Sequence, residues 1–267
     1  MPNRFSIVSW NIKNFTEGTA KEAKVVDHLK SMNPDVFGLL EVVGKDAWKV
    51  FYKEFPNHDM FITEGEQSQE ILVGVHKDFR CFFTQRDEFK TGRTHLRPGP
   101  FVALQPKNSQ EHYVLLFLHL KSMKDPEGFG LRDEMLSHAF NLKSAVDAMD
   151  SEMGGNGESK FIFMGDLNTM GMQYWRQHKY EAAVEIEKLE GKAKLREMSV
   201  LLKDDSYTWT DGNEVSNLDH VVAADSIDFE SWNGKKVKVI GWNKSTDIKK
   251  WIKDVSDHCA LYCEVKY

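Results

Sequence analysis

Apolar residues in this chain gather in short unbroken runs, and most runs stop on a polar or charged residue. The clearest run is Phe161-Ile162-Phe163-Met164, which predicts a strand covered on both faces. Gly165 breaks it, and Asp166, Leu167, Asn168 and Thr169 follow. In extended backbone a period of two puts Asp166 and Asn168 on one side. The same grammar recurs. Phe5 to Trp10 runs into Asn11, Asp35 to Leu40 ends on Glu41, and Tyr113 to Leu118 stops on His119. Asn217-Leu218-Asp219-His220-Val221-Val222 carries an acid in the polar start of another predicted strand, and Ser256-Asp257-His258-Cys259 leads into a final one, Ala260 to Val265. Ile71 to His76 and Arg80 to Thr84 read as strands around a Lys77-Asp78 turn, with Phe101 to Gln105 as another.

Helical periodicity is sparser. Lys21 to Met32 has an apolar stripe of Val25, Val26 and Leu29, with Thr16 or Thr19 as a cap and Pro34 past its end. Ala47 to Phe55 is a short helix, Leu131 to Met149 a long amphipathic one, and Tyr180 to Glu190 a charged one. Gly154, Gly155 and Gly157 mark a connection into the Phe161 strand. No repeat, low-complexity block or linker divides the chain, so residues 1–267 read as one domain of two packed sheets with helices outside.

Composition narrows the function. Hydrophobic residues make up 41% of the 267 and charged ones 28%, as in ordinary globular proteins. No apolar run approaches the ~20 residues needed to span a bilayer. The start of the chain shows no signal-peptide pattern, so a cytoplasmic monomer is expected. Cys81, Cys259 and Cys263 lack metal-ligand spacing, and Cys259 and Cys263, on one face of the final strand, read as reduced core residues. The net charge of −6 excludes a globally basic nucleic-acid surface. Any DNA or RNA must meet a local patch, for which Arg93, His95, Arg97, Lys121 and Lys124 are the candidates; otherwise the substrate is a smaller phosphate ester. Tyr174-Trp175-Arg176 is either a packing patch or a base-stacking surface.

Taken singly, the strand-end groups have ordinary readings: Asn11 as a turn residue, His119 as a hydrogen-bonded structural residue, Asp166 and Asn168 as turn and cap. Glu41 needs a partner or a cation, because a carboxylate is almost never buried unpaired. Taken together they form an ordered set, Trp10-Asn11, Leu40-Glu41, Leu118-His119, Gly165-Asp166-Leu167-Asn168, Leu218-Asp219-His220 and Ser256-Asp257-His258. That set resembles the endonuclease/exonuclease/phosphatase superfamily, the DNase I-like proteins.

The resemblance implies an α+β fold, a four-layered α/β/β/α sandwich, and divalent-metal-dependent hydrolysis of a phosphate ester. It makes Glu41 the main metal carboxylate, with Asn11 and Asp257 beside it. All-oxygen ligation suits Mg²⁺, for which Mn²⁺ can substitute. Asp166 and Asn168 would orient water and hold a phosphoryl oxygen. His258 would act as general base or phosphate holder, with Asp219 fixing its tautomer. His119 resembles the second histidine of DNase I-like and sphingomyelinase-like branches, where the exonuclease III branch has tyrosine. Its carboxylate orienter is expected at Glu64, Glu66 or Glu70. Arg97, in Leu96-Arg97-Pro98, resembles an Arg-Pro element near the rim and is a candidate substrate contact. A nuclease is the first expectation, a small-molecule or lipid phosphodiesterase or phosphatase the alternative, and a non-catalytic binding protein on this fold a remote third.

Overall fold

The computed structural model describes residues 3–174 and 179–267. The strands of the first half are β1 (Arg4–Phe15), β2 (Val36–Val42), β3 (His58–Ile62), β4 (Glu70–His76), β5 (Phe79–Arg86), β6 (Gly99–Pro106) and β7 (Tyr113–His119). Those of the second half are β8 (Lys160–Asp166), β9 (Met172–Gln173), β10 (Lys179–Tyr180), β11 (Met198–Val200), β12 (Trp209–Thr210), β13 (Val215–Ser216), β14 (Asp219–Ala224), β15 (Lys238–Ile240) and β16 (Ala260–Lys266). The helices are α1 (Glu22–Met32), α2 (Ala47–Glu54), α3 (Pro126–Glu152), α4 (Ala182–Lys194) and α5 (Ile248–Asp254).

Two six-stranded sheets run in the orders β15-β16-β1-β2-β4-β3 and β11-β14-β8-β7-β6-β5. The pairs β1/β2 and β7/β8 are parallel, and α1 and α3 supply the long crossovers such pairs require. Three apolar layers hold the assembly. Ile7, Leu40, Val73, Leu115, Met164 and Leu261 belong to the layer between the sheets. Val25, Val26 and Leu29 of α1 and Phe51 of α2 pack on Val8, Trp10 and Phe37 of the first sheet. Met135, Leu136 and Ala139 of α3 and Leu189 of α4 pack on Leu116, Phe161 and Phe163 of the second. This is the expected α/β/β/α layering. Gly38 of β2 is what lets the sheets close here, since any Cβ on it would overlap the Phe117 ring facing it from β7.

Local differences from the sequence reading have physical causes. α1 starts after Lys21 with no side-chain cap; Thr19 contributes its backbone carbonyl to the Glu22 N–H instead. α3 begins at Pro126, ahead of the apolar stripe, because the Asp125 side chain accepts the Gly128 N–H and Pro126 takes the first turn. The strand β3, with only the short apolar run Met60-Phe61-Ile62, forms by pairing with β4. Cys259 and Cys263 are buried and reduced. Of the aromatic–basic cluster, Trp175 and Arg176 lie outside the described residues. Among those described, no helix is long and apolar enough to cross a membrane.

Candidate active site

Strand register puts the polar groups in a row. Across three neighbouring strands of the second sheet, His119 of β7 is opposite Asp166 of β8, which is opposite Asp219 of β14. The first sheet ends at the same mouth with Asn11 on β1, paired to Leu40, and Glu41 next along β2. The two sheets therefore meet through side chains: Asn11 Nδ2 donates to Asp166 Oδ2 at 3.1 Å and to Glu41 Oε1 at 3.0 Å.

Gly165 sets the angle at which β8 delivers its acid. Its φ is +144°, and an added Cβ would overlap the Leu118 carbonyl of β7. Beyond it, the Asn168 N–H returns to Asp166 Oδ1 at 3.1 Å, while Asn168 Nδ2 donates to the Leu120 carbonyl at 3.0 Å. Asn168 itself has φ +50°, a left-handed turn that asparagine tolerates. Burial, with the charges of Asp219 and Glu41, pushes the Asp166 carboxyl up to about 7 despite the opposing pull of His258 and the Asn11 hydrogen bond.

His258 sits between two carboxylates. Its Nδ1 is 2.9 Å from Asp219 Oδ2 and its Nε2 is 3.7 Å from Asp166 Oδ2. Burial alone would lower its pKa, but Asp219 and then Asp166 outweigh it and push it up to about 10. His258 is thus an imidazolium at neutral pH, with Nδ1 donating to Asp219.

His119 is the opposite case. Burial, then the Arg97 and His258 charges, hold it well below the ordinary histidine range. Its Nε2 lies 3.6 Å from Asp166 Oδ2 and 3.7 Å from Glu41 Oε1, and its Nδ1 has no hydrogen-bond partner among the described residues. The expected carboxylate orienter is not at Nδ1. Glu70 is committed elsewhere, accepting from Thr63 Oγ1 and Gln67 Nε2 at 2.6 Å each, and Glu64 and Glu66 are exposed.

Glu41, at φ +63°, is held by Asn11 and by the Asn14 N–H at 3.0 Å. Lys13 and Asn14 form a left-handed turn there, braced by Lys21 Nζ on the Ile12 and Lys13 carbonyls at 2.6 and 2.7 Å. Asp257 lines the same cleft, with Oδ2 paired to Lys13 Nζ at 3.0 Å. Arg97 is half-buried in the wall. It donates from Nη2 to the Leu120 carbonyl at 3.2 Å, and its Nε has no partner among the described residues. Of the other expected cations Lys124 lines the cleft, while Arg93 pairs with Glu127 at 2.5 Å.

Several supports had no signal in the sequence reading. Thr208 Oγ1 accepts the Leu218 and Asp219 N–H groups at 3.0 Å each. Half-buried Lys203 donates to the Asp219 carbonyl at 2.5 Å and to Asn217 Oδ1. Ser256 Oγ donates to the Asn11 carbonyl at 2.7 Å and accepts the His258 N–H at 3.1 Å. The Trp10 indole donates to the His258 carbonyl at 3.1 Å. Each ties one strand end to another, and only proximity in the fold reveals it.

The cleft over this cluster has a volume of about 460 Å³. Lys13, Arg97 and Lys124 supply its positive side chains, and Glu41, Asp166, Glu214 and Asp257 its carboxylates. Oxygen donors this close, all on one face, suit a hard divalent cation. Among the described residues, Asp166, Asp219 and His258 bring ligand-type atoms within 4.8 Å of one another. Glu41 lies outside that cluster, joined to it through Asn11.

No protein-family model and no curated protein matches the sequence. Solved structures do. D. rerio TDP2 complexed with single-strand DNA product is 16% identical, with a TM-score of 0.64 and 99% of each chain covered. An endonuclease/exonuclease/phosphatase family protein from Bacteroides thetaiotaomicron is 14% identical, with a TM-score of 0.64 over 100% of this chain and 99% of that one. A mannosyl-6-phosphatase from the same organism is 14% identical, with a TM-score of 0.63 over 98% of this chain and 100% of that one. The chain has the DNase I-like fold of endonuclease/exonuclease/phosphatase proteins.

Proposed function

We propose that this chain, on its DNase I-like fold, is a divalent-metal-dependent phosphoesterase, and that its substrate is a phosphodiester at the end of a single nucleic-acid strand. The observation that carries the reading is the buried row His119–Asp166–Asp219–His258 closed by Asn11 and Glu41. Three carboxylates, two imidazoles of opposite charge state and a positioned amide are far more than packing needs, since buried carboxylates destabilise unless used.

Glu41, oriented by Asn11 and the Asn14 N–H, is the residue to hold Mg²⁺, with Mn²⁺ able to replace it. Asp257 joins it only by releasing Lys13. The bound ion would supply positive charge to the phosphoryl oxygens, as hard cations do. The chain's own groups do the rest. Asp166, raised to about 7, is matched to accept a proton from an attacking water near neutral pH. Asn168 fixes that carboxylate through its N–H. The His258 imidazolium donates from Nε2 to a phosphoryl or leaving oxygen, its ring held by Asp219. That makes His258 the phosphate holder rather than the resting general base. Neutral His119 and the partnerless Nε of Arg97 add further donors at the same wall.

The mixed lining argues for a short substrate segment. Lys13, Arg97, Lys124 and the His258 imidazolium, set among four carboxylates, can meet one or two phosphates but make no track for a long duplex. The TDP2 neighbour with single-strand DNA product favours a strand end, and the mannosyl-6-phosphatase favours a compact monoester as the second reading. The test is a panel of plasmid, single-stranded DNA, RNA and small phosphate mono- and diesters, each with Mg²⁺, Mn²⁺ or chelator. Metal-dependent cleavage of single strands with intact plasmid is expected. Cleavage of monoesters alone overturns the strand-end substrate, and chelator-insensitive turnover overturns the metal.

A further inference from the structure

Behind one wall of the cleft, Arg132 of α3 is fully buried against Glu185 of α4. Its Nε donates to Glu185 Oε1 at 2.8 Å and its Nη2 to Glu185 Oε2 at 3.2 Å. Nη2 also donates to the Gly171 carbonyl at 2.8 Å, and Nη1 to the Met123 and Lys121 carbonyls at 2.7 and 3.3 Å. Glu185 Oε2 in turn accepts the Gly171 N–H at 2.7 Å. The pair therefore grips Gly171 on both sides of its α-carbon, and holds the carbonyl of Met123, whose φ of +97° is rare for a side-chain-bearing residue.

The gripped segments are the two that leave the candidate active site. Residues 120–124 follow His119 directly, and 169–173 follow Asn168 directly. A further bond, Gln173 N–H to the Lys124 carbonyl at 2.6 Å, ties them to each other. Ser122, Lys124 and Met170 from these segments line the cleft. A pair that served only to pack α3 on α4 would need no loop carbonyls, and apolar residues of similar volume would serve as well. This one uses the planar fork of arginine to bond three carbonyls and a carboxylate at once, which lysine cannot do.

We propose that Arg132 and Glu185 are positioning residues that hold both loops as one wall and set the place of Lys124 in the cleft. What Lys124 meets there rests on the phosphoesterase reading; the joining of the loops does not. The wall binds substrate and takes no part in the bond change, so its loosening is read in KM.

The test compares wild type with R132K, E185Q, R132M/E185M and K124A. Amide hydrogen exchange is followed at 120–124 and 169–173, and KM and kcat are measured on a single-stranded oligonucleotide and on bis(p-nitrophenyl) phosphate with Mg²⁺. In R132K and R132M/E185M, exchange is expected to rise about tenfold in both loops together, while β7 and β8 stay protected. KM should rise about tenfold with kcat within about twofold, as lost uniform binding requires. E185Q keeps one acceptor oxygen, enough for Gly171 and Arg132 Nη2, but sets an NH2 donor against Arg132 Nε, and should fall between. Adding K124A should raise KM little further, because the clamp acts through that residue. Exchange that rises in only one loop, a fall in kcat at unchanged KM, or additive KM effects would each overturn the proposal. If R132M/E185M does not fold, R132K carries the same readouts. If wild type cleaves neither ester, the phosphodiesterase reading fails, and exchange alone decides the clamp.

Discussion

Replacing Asp219 by Asn removes one charge from the His258 site and almost no volume. The His258 ring lies 2.9 Å from Asp219 and is pushed from 6.5 up to about 10, against a burial effect that would lower it. At 1.36 kcal/mol per pH unit, that difference is about 5 kcal/mol of preference for the imidazolium. Asp219 is the largest of its three carboxylate sources, with Asp166 and Asp257, so about half or more of the preference disappears with it. The variant ring should then titrate near its ordinary value, and the Asn amide can donate to Nδ1 and hold the neutral tautomer. A loss of about 3 kcal/mol from the transition state is about 10² in rate, and a mis-set tautomer can bring the loss to about 10⁴. The assay is kcat against pH on a single-stranded oligonucleotide with Mg²⁺, alongside NMR titration of the His258 ring. Because the imidazolium is the form required, D219N should also lose its residual activity as pH rises through the lowered pKa. An imidazole still titrating near 10, or a kcat within about threefold of wild type, would refute the reasoning.

Further expectations follow from other parts of the site. Glu41→Gln should abolish the rise in melting temperature that Mg²⁺ gives wild type, and in chelator it should be no less stable, since Glu41 repels Asp166; an equal Mg²⁺ response in both proteins rules Glu41 out as the metal carboxylate. Gly165→Ala meets both a φ of +144° and the Leu118 carbonyl, so urea unfolding should show a loss of about 3 kcal/mol or more, and a loss below about 1 contradicts the packing. Burial lowers Lys203 to about 8 from 10.5, so the folded state sheds this proton before the unfolded state does. Stability should therefore rise relative to Lys203→Met as pH goes from about 8 to about 10.5, by about 3 kcal/mol in all; parallel stability curves for the two proteins would show that Lys203 titrates normally.

The polar row was legible because its members stand where a buried strand begins or ends, and a switch between apolar and polar is a one-dimensional signal. Singly, Asn11, His119 and Asp166 had ordinary readings; their order along the chain, and the family it resembles, singled them out, and β1, β2, β7 and β8 bring them with Glu41 to one mouth. The supports were illegible for the converse reason. Arg132 and Glu185 are 53 positions apart, and Ser256 reaches Asn11 across 245. Nothing in a helix's residue pattern distinguishes a fully buried arginine from a solvated one. The missing orienter of His119 shows a resemblance outrunning local chemistry. Thr63 and Gln67 satisfy Glu70, leaving it no call to reach further. The early start of α3 was in the sequence as Asp125-Pro126, but Gly128 and Gly130 masked it.

The turn around Gly154–Gly157 joins α3 to β8, on exposed backbone. A cut there would leave Asn11, Glu41 and His119 on one piece and Asp166, Asn168, Asp219 and His258 on the other. Both sheets draw strands from both pieces, which meet edge to edge at β1/β16 and β7/β8. Neither piece alone would hold a functioning centre. Hydrolysis by a split form of this protein would thus be a readout of reassembly, silent until both sheets had closed.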